Sequence, residues 1–317
     1  MKYASATFLA IMLACATSAS QPQPVPPGAL QRPEAVSLLG VPLFSPELHK
    51  GQKEKLLEQY IAAKADYDTD PTNIDFVIWL GRRAAYLWRY REAIEIFSGG
   101  IEASPNDPRL YRHRGHRYIT IREFGKAVDD LSKAAQLAST REDEVEPDGQ
   151  PNEKNIPTGT LKSNIWYHLG LAYYLQGNFT RALEAYRECM KYSKNDDMLC
   201  ATADWLYMTL RRLGRNDEAA EVLAGISAKM DIIENFSYHK RLLMYKGVVP
   251  ADSLLNPAGL NDLDIATQGY GVANWHYYNG RQDRAGDLFG RITEGSYWAA
   301  FGYIAAEVEL AKTRRKQ

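Results

Sequence analysis

Apolar residues between Asp75 and Pro105 (DFVIWLGRRAAYLWRYREAIEIFSGGIEASP) recur at the three- and four-residue spacing that puts one apolar stripe on a helix. The stripe breaks near Trp88–Tyr90 and resumes, predicting two amphipathic helices joined by a short turn. Within this stretch Leu80, Gly81, Ala93, Phe97 and Pro105 sit at offsets that return further along the chain. A second copy has Gly115, Tyr118, Ala127, Leu131 and Ala134; a third has Trp166, Leu169, Gly170, Tyr173, Ala182 and Tyr186. A looser copy carries Leu206, Leu210, Ala219 and Leu223, and a late one Val272, Ala273, Ala285 and Phe289. The small residues let a neighbouring helix approach, and the large ones fill the groove between hairpins.

A second register comes from the turns. Gly177, Gly214, Gly247 and Gly280 each follow a helical run, at spacings of 37, 33 and 33 residues. Glycine is the residue that ends a helix in the left-handed conformation. Gly247 marks residues 233–265 as a degenerate copy, whose short second helix, 251–256, stops at Pro257. The first two copies carry Trp88 and Arg122 where this glycine is expected.

Paired helices at a period near 34 residues are the signature of the tetratricopeptide repeat, and the residues quoted above resemble that family. Its pattern asks for a large apolar residue followed by a small one in the first helix, then an aromatic. Alanine opens the second helix, an aromatic follows four residues on, and proline often marks the exit. The resemblance runs over residues 74–299 and implies an all-α superhelix, a solenoid of about six hairpins with one degenerate. No single hairpin can bury its own apolar face, so at least about three must stack. Family members bind peptides or helices along a concave groove lined by the first helices. Carried onto this sequence, the resemblance implies a non-catalytic scaffold with Arg82, Arg109, Arg112, His116, Asn164, Tyr167, Tyr270 and Asn274 facing a protein or peptide partner. Arg82, Arg109 and Arg112 would make a cationic cluster suited to carboxylates, with Asn164 bonding a partner backbone. The Lys/Asn clamp of the chaperone-binding branch is not matched, because Arg112 and His116 occupy its places.

Outside the repeats the pattern changes. Lys2, an apolar core at residues 8–13 and the small residues 16–20 predict a signal peptide over residues 1–20, and hence an exported protein, periplasmic or extracellular. The apolar run is too short to anchor in a bilayer. Met12-Leu13-Ala14-Cys15 imperfectly resembles a lipobox, so lipidation at Cys15 stands as the alternative, and with it a lipid-anchored assembly factor of the bacterial envelope. Residues 21–44 are Pro-rich and predict a mobile linker. Ser45-Pro46 opens a capping helix within 45–73. Residues 141–162 form an acidic insert, predicted to be solvated. Residues 296–317 predict a C-terminal helix covering the second open end.

Composition narrows the function classes. A net charge of -1 over 317 residues gives no field that would recruit nucleic acid or an acidic membrane. Twenty Tyr with 9 Phe and 6 Trp suit inter-helix packing and binding surfaces alike. Hydrolase and phosphate-loop motifs are missing, and no Cys-x-x-Cys occurs. His113 and His116 lie one helical turn apart, a two-ligand spacing without an evident third, so no metal and no cofactor is expected; an accessory subunit of an enzyme remains an alternative. Cys189 and Cys200 flank a turn near Asn195 at nearly equal distances, and two readings stand: a disulfide, or two buried thiols. Asn178-Phe179-Thr180 and Asn235-Phe236-Ser237 fit N-glycosylation acceptors, relevant only in a eukaryotic secretory route.

Overall fold

The computed structural model describes residues 32–255 and 262–314. Residues 1–31, with the signal segment and Cys15, and residues 256–261 and 315–317 lie outside the described residues. Thirteen α-helices account for almost all regular structure described. The fold is an all-α superhelix.

Hairpins follow one another along the chain: α2 (Ile74–Tyr86) with α3 (Tyr90–Ala103), α4 (Pro108–Thr120) with α5 (Phe124–Ala138), α6 (Leu161–Leu175) with α7 (Phe179–Tyr192). Then come α8 (Asp196–Arg212) with α9 (Asn216–Ala224), α10 (Phe236–Tyr245) with only a 3-10 turn (Ala251–Leu255), and α11 (Asp262–Tyr278) with α12 (Gln282–Thr293). Each of the first four leading helices is opened by a side chain accepting from its first backbone N–H groups: Asn73, Asp107, Thr160 and Asn195. Asp197 does the same at a distance, accepting from the N–H groups of Ile233, Glu234 and Asn235 and so fixing the chain that enters α10.

The turns share one conformation. Gly177, Gly214, Gly247 and Gly280 have φ of 79°, 72°, 79° and 80°. Trp88 and Arg122, at the matching places, have φ of 62° and 69°. Both turns therefore carry the register of the others, held in a left-handed state that costs a side-chain-bearing residue about 1–2 kcal/mol. Gly170 lies under the Tyr186 ring, close enough that an added Cβ would fall 2.7 Å from it. Gly115 meets Leu131 in the same way, so these pairs lock the two helices of one hairpin.

Three segments differ from the sequence expectation. Residues 33–44 are not a loose tether: Ala35–Val36 and Pro42–Leu43 pair as a two-stranded antiparallel ribbon (β1, β2), with Ala35 and Leu43 buried in the main core. Glu34 accepts from the Arg91 N–H, and the Phe44 carbonyl accepts from the Trp298 indole at 2.7 Å. The following helix, α1, runs Lys50–Thr69; Ser45 does not cap it but donates to the Trp88 carbonyl. The insert is anchored too, by a bridge between Val145 and Thr160 and by ion pairing of Glu146 with Arg112.

The third difference decides what the concave side looks like. Helix α13 (Phe301–Arg314) packs chiefly on the last hairpin, α11 and α12, as an end cover does, but it is also drawn into the hollow of the array. Eight consecutive residues, Gly302 to Glu309, are buried, which no helix lying on an open edge achieves. It packs on α6, α11 and α12, and Phe301 meets the rings of His116 on α4 and His168 on α6. Glu307 reaches Arg122 in the second turn, and Glu309 reaches Arg212 at the end of α8, at 3.1 Å. The leading helices thus close around the chain's own C-terminal helix. No described helix is long and apolar enough to cross a membrane.

Candidate functional site

The residues expected to face a partner divide into two groups. Arg112 and Tyr167 are buried, and Tyr270 and Asn274 entirely so. Tyr270 donates from its hydroxyl to Tyr174, Asn274 donates to the same oxygen and accepts from Arg212, and Tyr167 shares a hydrogen bond with Tyr238. These four are consumed by internal bonding: Tyr270 and Asn274 within the packing of α11, Tyr167 against α10 and Arg112 against the insert. Asn164 is half-buried, and its carbonyl faces His168 Nδ1 at 2.6 Å. Arg109 is bonded to Asp107 and to Asp75, the latter at 2.7 Å. Arg112 pairs with Glu146 of the insert at 2.9 Å. The three-arginine cluster is therefore not free: of Arg82, Arg109 and Arg112, only Arg82 has no ion pair among the described residues. Its guanidinium stacks over Trp79 at 4.7 Å.

Openings remain on the inner side among the described residues, two larger ones and, between them, one of about 120 Å³ beside Arg82, Arg112 and Arg117. Of the larger two, one, about 300 Å³, is a trough between α2, α4 and the insert, walled by Ile78, Trp79, Arg82, Arg109 and the strand-like residues Glu144–Pro147. The other, about 350 Å³, lies between α2, α4, α10 and the segment leading into α13. Arg117 and His116 line it. Neither arginine position 117 nor the enclosing residues 297–302 stood out in the sequence. The only signal was a run of five basic residues, 112, 113, 114, 116 and 117, along one helix.

Electrostatics on this wall are set by burial. His113, His116 and His168 are held well below the usual histidine value, first by removal from water and then by nearby arginines. They are neutral at physiological pH. The His116 and His168 rings meet at 4.2 Å, tilted by 40°. Asp148, in the insert, is pushed up to about 6 by burial and by the neighbouring Glu234. Among the described residues no group of three or more His, Cys, Asp or Glu is arranged to hold a metal ion. Cys189 and Cys200 are both free and buried, so the disulfide reading is corrected. The Cys189 sulfur points to the Ser163 carbonyl and Thr202, the Cys200 sulfur toward Met230 at 3.8 Å. Burial pushes both thiols up to about 12.

Residues 163–196, which span α6, the Gly177 turn and α7, match the family model described as Tetratricopeptide repeat. The chain carries a tetratricopeptide repeat. The repeat's family residues Leu169, Gly170, Tyr173, Ala182 and Tyr186 fall inside that match. Curated relatives include the BBSome complex member BBS4 of Bos taurus, 24% identical over 202 residues, covering 64% of this chain and 32% of that protein. The Mus musculus protein of that name is 24% identical over 138 residues, covering 44% of this chain and 22% of its own length. The chain thus spans a third or less of the curated relatives it matches. Among solved structures, MamA is 18% identical with a TM-score of 0.42, covering 64% of this chain and 100% of MamA. A tetratricopeptide repeat protein from Parabacteroides merdae is 14% identical with a TM-score of 0.46, covering 83% of this chain and 99% of its own.

Proposed function

We propose that this chain is a non-catalytic interaction scaffold that takes an extended acidic segment of a partner protein in the trough between α2, α4 and the insert. The observation that carries this reading is Arg82: a guanidinium stacked on Trp79 at the trough wall, with no carboxylate at ion-pair distance among the described residues and only the longer-range charge of Asp148 nearby. One turn away the insert supplies a worked example, because Glu146 enters the same wall as an extended segment and places its carboxylate on Arg112. A guanidinium backed by an aromatic face and offered to a carboxylate is a strong, orientation-specific contact. The rest of the inner wall is taken by α13, which supports confining the partner to this end of the solenoid. The residues at 1–20 and 8–13 favour a place of action outside the cytoplasm, with lipid attachment at Cys15 as the alternative arrangement.

Affinity capture with the full chain from an extract of its native source tests the reading. The partner captured by the unaltered chain should be lost with Arg82→Glu and with Trp79→Ala, and retained with Arg181→Glu on the outer face. Equal recovery with all three variants refutes the trough as the binding face.

A further inference from the structure

The opening beside Arg117 is a different kind of place from the trough. It is ringed by Tyr90, Trp205, Tyr238 and Tyr297, and Arg117 stands in its wall. At about 350 Å³ it lies at the lower end of the range for sites that hold small organic molecules. Arg117 has no ion pair among the described residues. Its Nη2 donates instead to His116 Nδ1 at 2.6 Å, and its guanidinium lies 5.7 Å from the Tyr90 ring. The other arginine lining this opening, Arg241, is bonded to Asp204, its Nε donating at 2.9 Å. Glu146, the carboxylate that the insert brings to this wall, is occupied by Arg112.

An uncompensated cation in such surroundings is costly, and proteins pair or neutralise it. Arg117 is half-buried, with protein packed around it, as befits a group on the wall of a half-open pocket. Burial lowers its guanidinium to about 10, with Arg112 and Arg82 adding repulsion. It stays protonated at neutral pH all the same. Because His116 accepts from Arg117 at Nδ1, its own proton resides on Nε2, and the ring cannot supply the missing negative charge.

We infer that this cavity binds a small organic anion, a carboxylate or sulfonate on an aromatic or apolar body, with Arg117 as the anion contact and the aromatic ring of side chains as the body contact. The charge of the ligand completes the ion pair that the chain leaves open. Its apolar part covers ring faces that otherwise meet only cavity water. Residues 297–302 close one side, so the site exists only when α13 is seated. This inference does not depend on the trough or on any protein partner.

The test uses 8-anilinonaphthalene-1-sulfonate as the fluorescent probe on the full chain under native conditions. Saturable one-to-one binding is expected. Benzoate should displace the probe, while benzyl alcohol, similar in size but uncharged, should displace it at least tenfold less effectively. Arg117→Met should weaken probe binding tenfold or more, and Arg117→Lys should keep part of it. Circular dichroism and the thermal midpoint establish that each variant is folded; should Arg117→Met fail to fold, the benzoate and benzyl alcohol competition on the unaltered chain decides alone. Equal displacement by the two competitors, unchanged binding by a folded Arg117→Met, or absence of saturable binding overturns the site.

Discussion

Arg122→Gly puts the role of the second turn to a test of sign. Four of the turns in this series carry glycine at a left-handed position, and Arg122 holds the same conformation at φ 69°. If Arg122 were merely a poor substitute for glycine, the replacement would relieve about 1–2 kcal/mol of backbone strain. The structure gives it another task. Its Nε and Nη2 donate to the two oxygens of Glu307 at 3.0 and 2.9 Å, and Nη2 also donates to the Trp298 carbonyl at 2.8 Å. Glu307 is fully buried on α13, with only a long contact from the Leu38 N–H, at 3.4 Å, besides. Removing one partner of a buried pair typically costs about 3–5 kcal/mol, because the other charge is left without compensation. The net expectation is a loss of about 1–4 kcal/mol, opposite in sign to the strain argument. Urea unfolding reads the change as a shift in midpoint, and hydrogen exchange of the α13 amides locates it. Arg122→Gly combined with Glu307→Gln should recover most of the loss, since no lone buried charge then remains. A single variant as stable as the unaltered chain, or unchanged exchange in α13, would refute the proposed closure.

Two further predictions follow from the inner wall and the hairpins. His113, His116 and His168 are kept neutral by burial and by the adjacent arginines, so their folded values lie below the unfolded value near 6.5. The unfolded chain then binds protons that the folded chain refuses. Stability is therefore retained above pH 6.5, falls as the pH drops below it, and continues to fall until the folded-state values are reached. Each such histidine costs about 1.4 kcal/mol at pH 5.5; the urea midpoint should drop between pH 7.5 and 5.5, and by less in His168→Phe. Gly170→Ala should destabilise by about 1–3 kcal/mol, since the new methyl group must displace the Tyr186 ring that fills the hairpin; an unchanged thermal midpoint would show that the ring yields freely.

The hairpins were legible because their cause is local. A stripe of apolar residues, a small residue under a ring, and a glycine at each left-handed turn are all set by neighbours a few positions apart, and the structure shows each of them. Even Trp88 and Arg122, which break the glycine pattern, adopt the turn conformation, and both are held there by the C-terminal segment: Trp88 packs edge-on against Tyr297 and Trp298, and Arg122 binds Glu307. The departures from the repeat pattern thus marked the two places where distant chain docks. The ribbon of residues 35–43 was not legible for the opposite reason. Its two short strands have little pattern of their own, and it is ordered by what it lies against.

The repeats alone place an open groove on the inner wall; that the hollow is filled follows from what the C-terminal helix needs. Residues 297–311 read YWAAFGYIAAEVELA, apolar on every face rather than along one stripe, and a helix of that kind must be surrounded. Its two acids, Glu307 and Glu309, lie two residues apart, so they leave the helix in different directions inside an apolar run. Each therefore needs a cation from a different neighbour, and the only interior able to enclose such a helix is the hollow of the solenoid itself. Arg122 and Arg212, each at the end of a leading helix, meet that requirement. Filling the hollow leaves a short trough beside α2 and a half-open pocket beside Arg117, and it makes binding in that pocket conditional on whether α13 is in place.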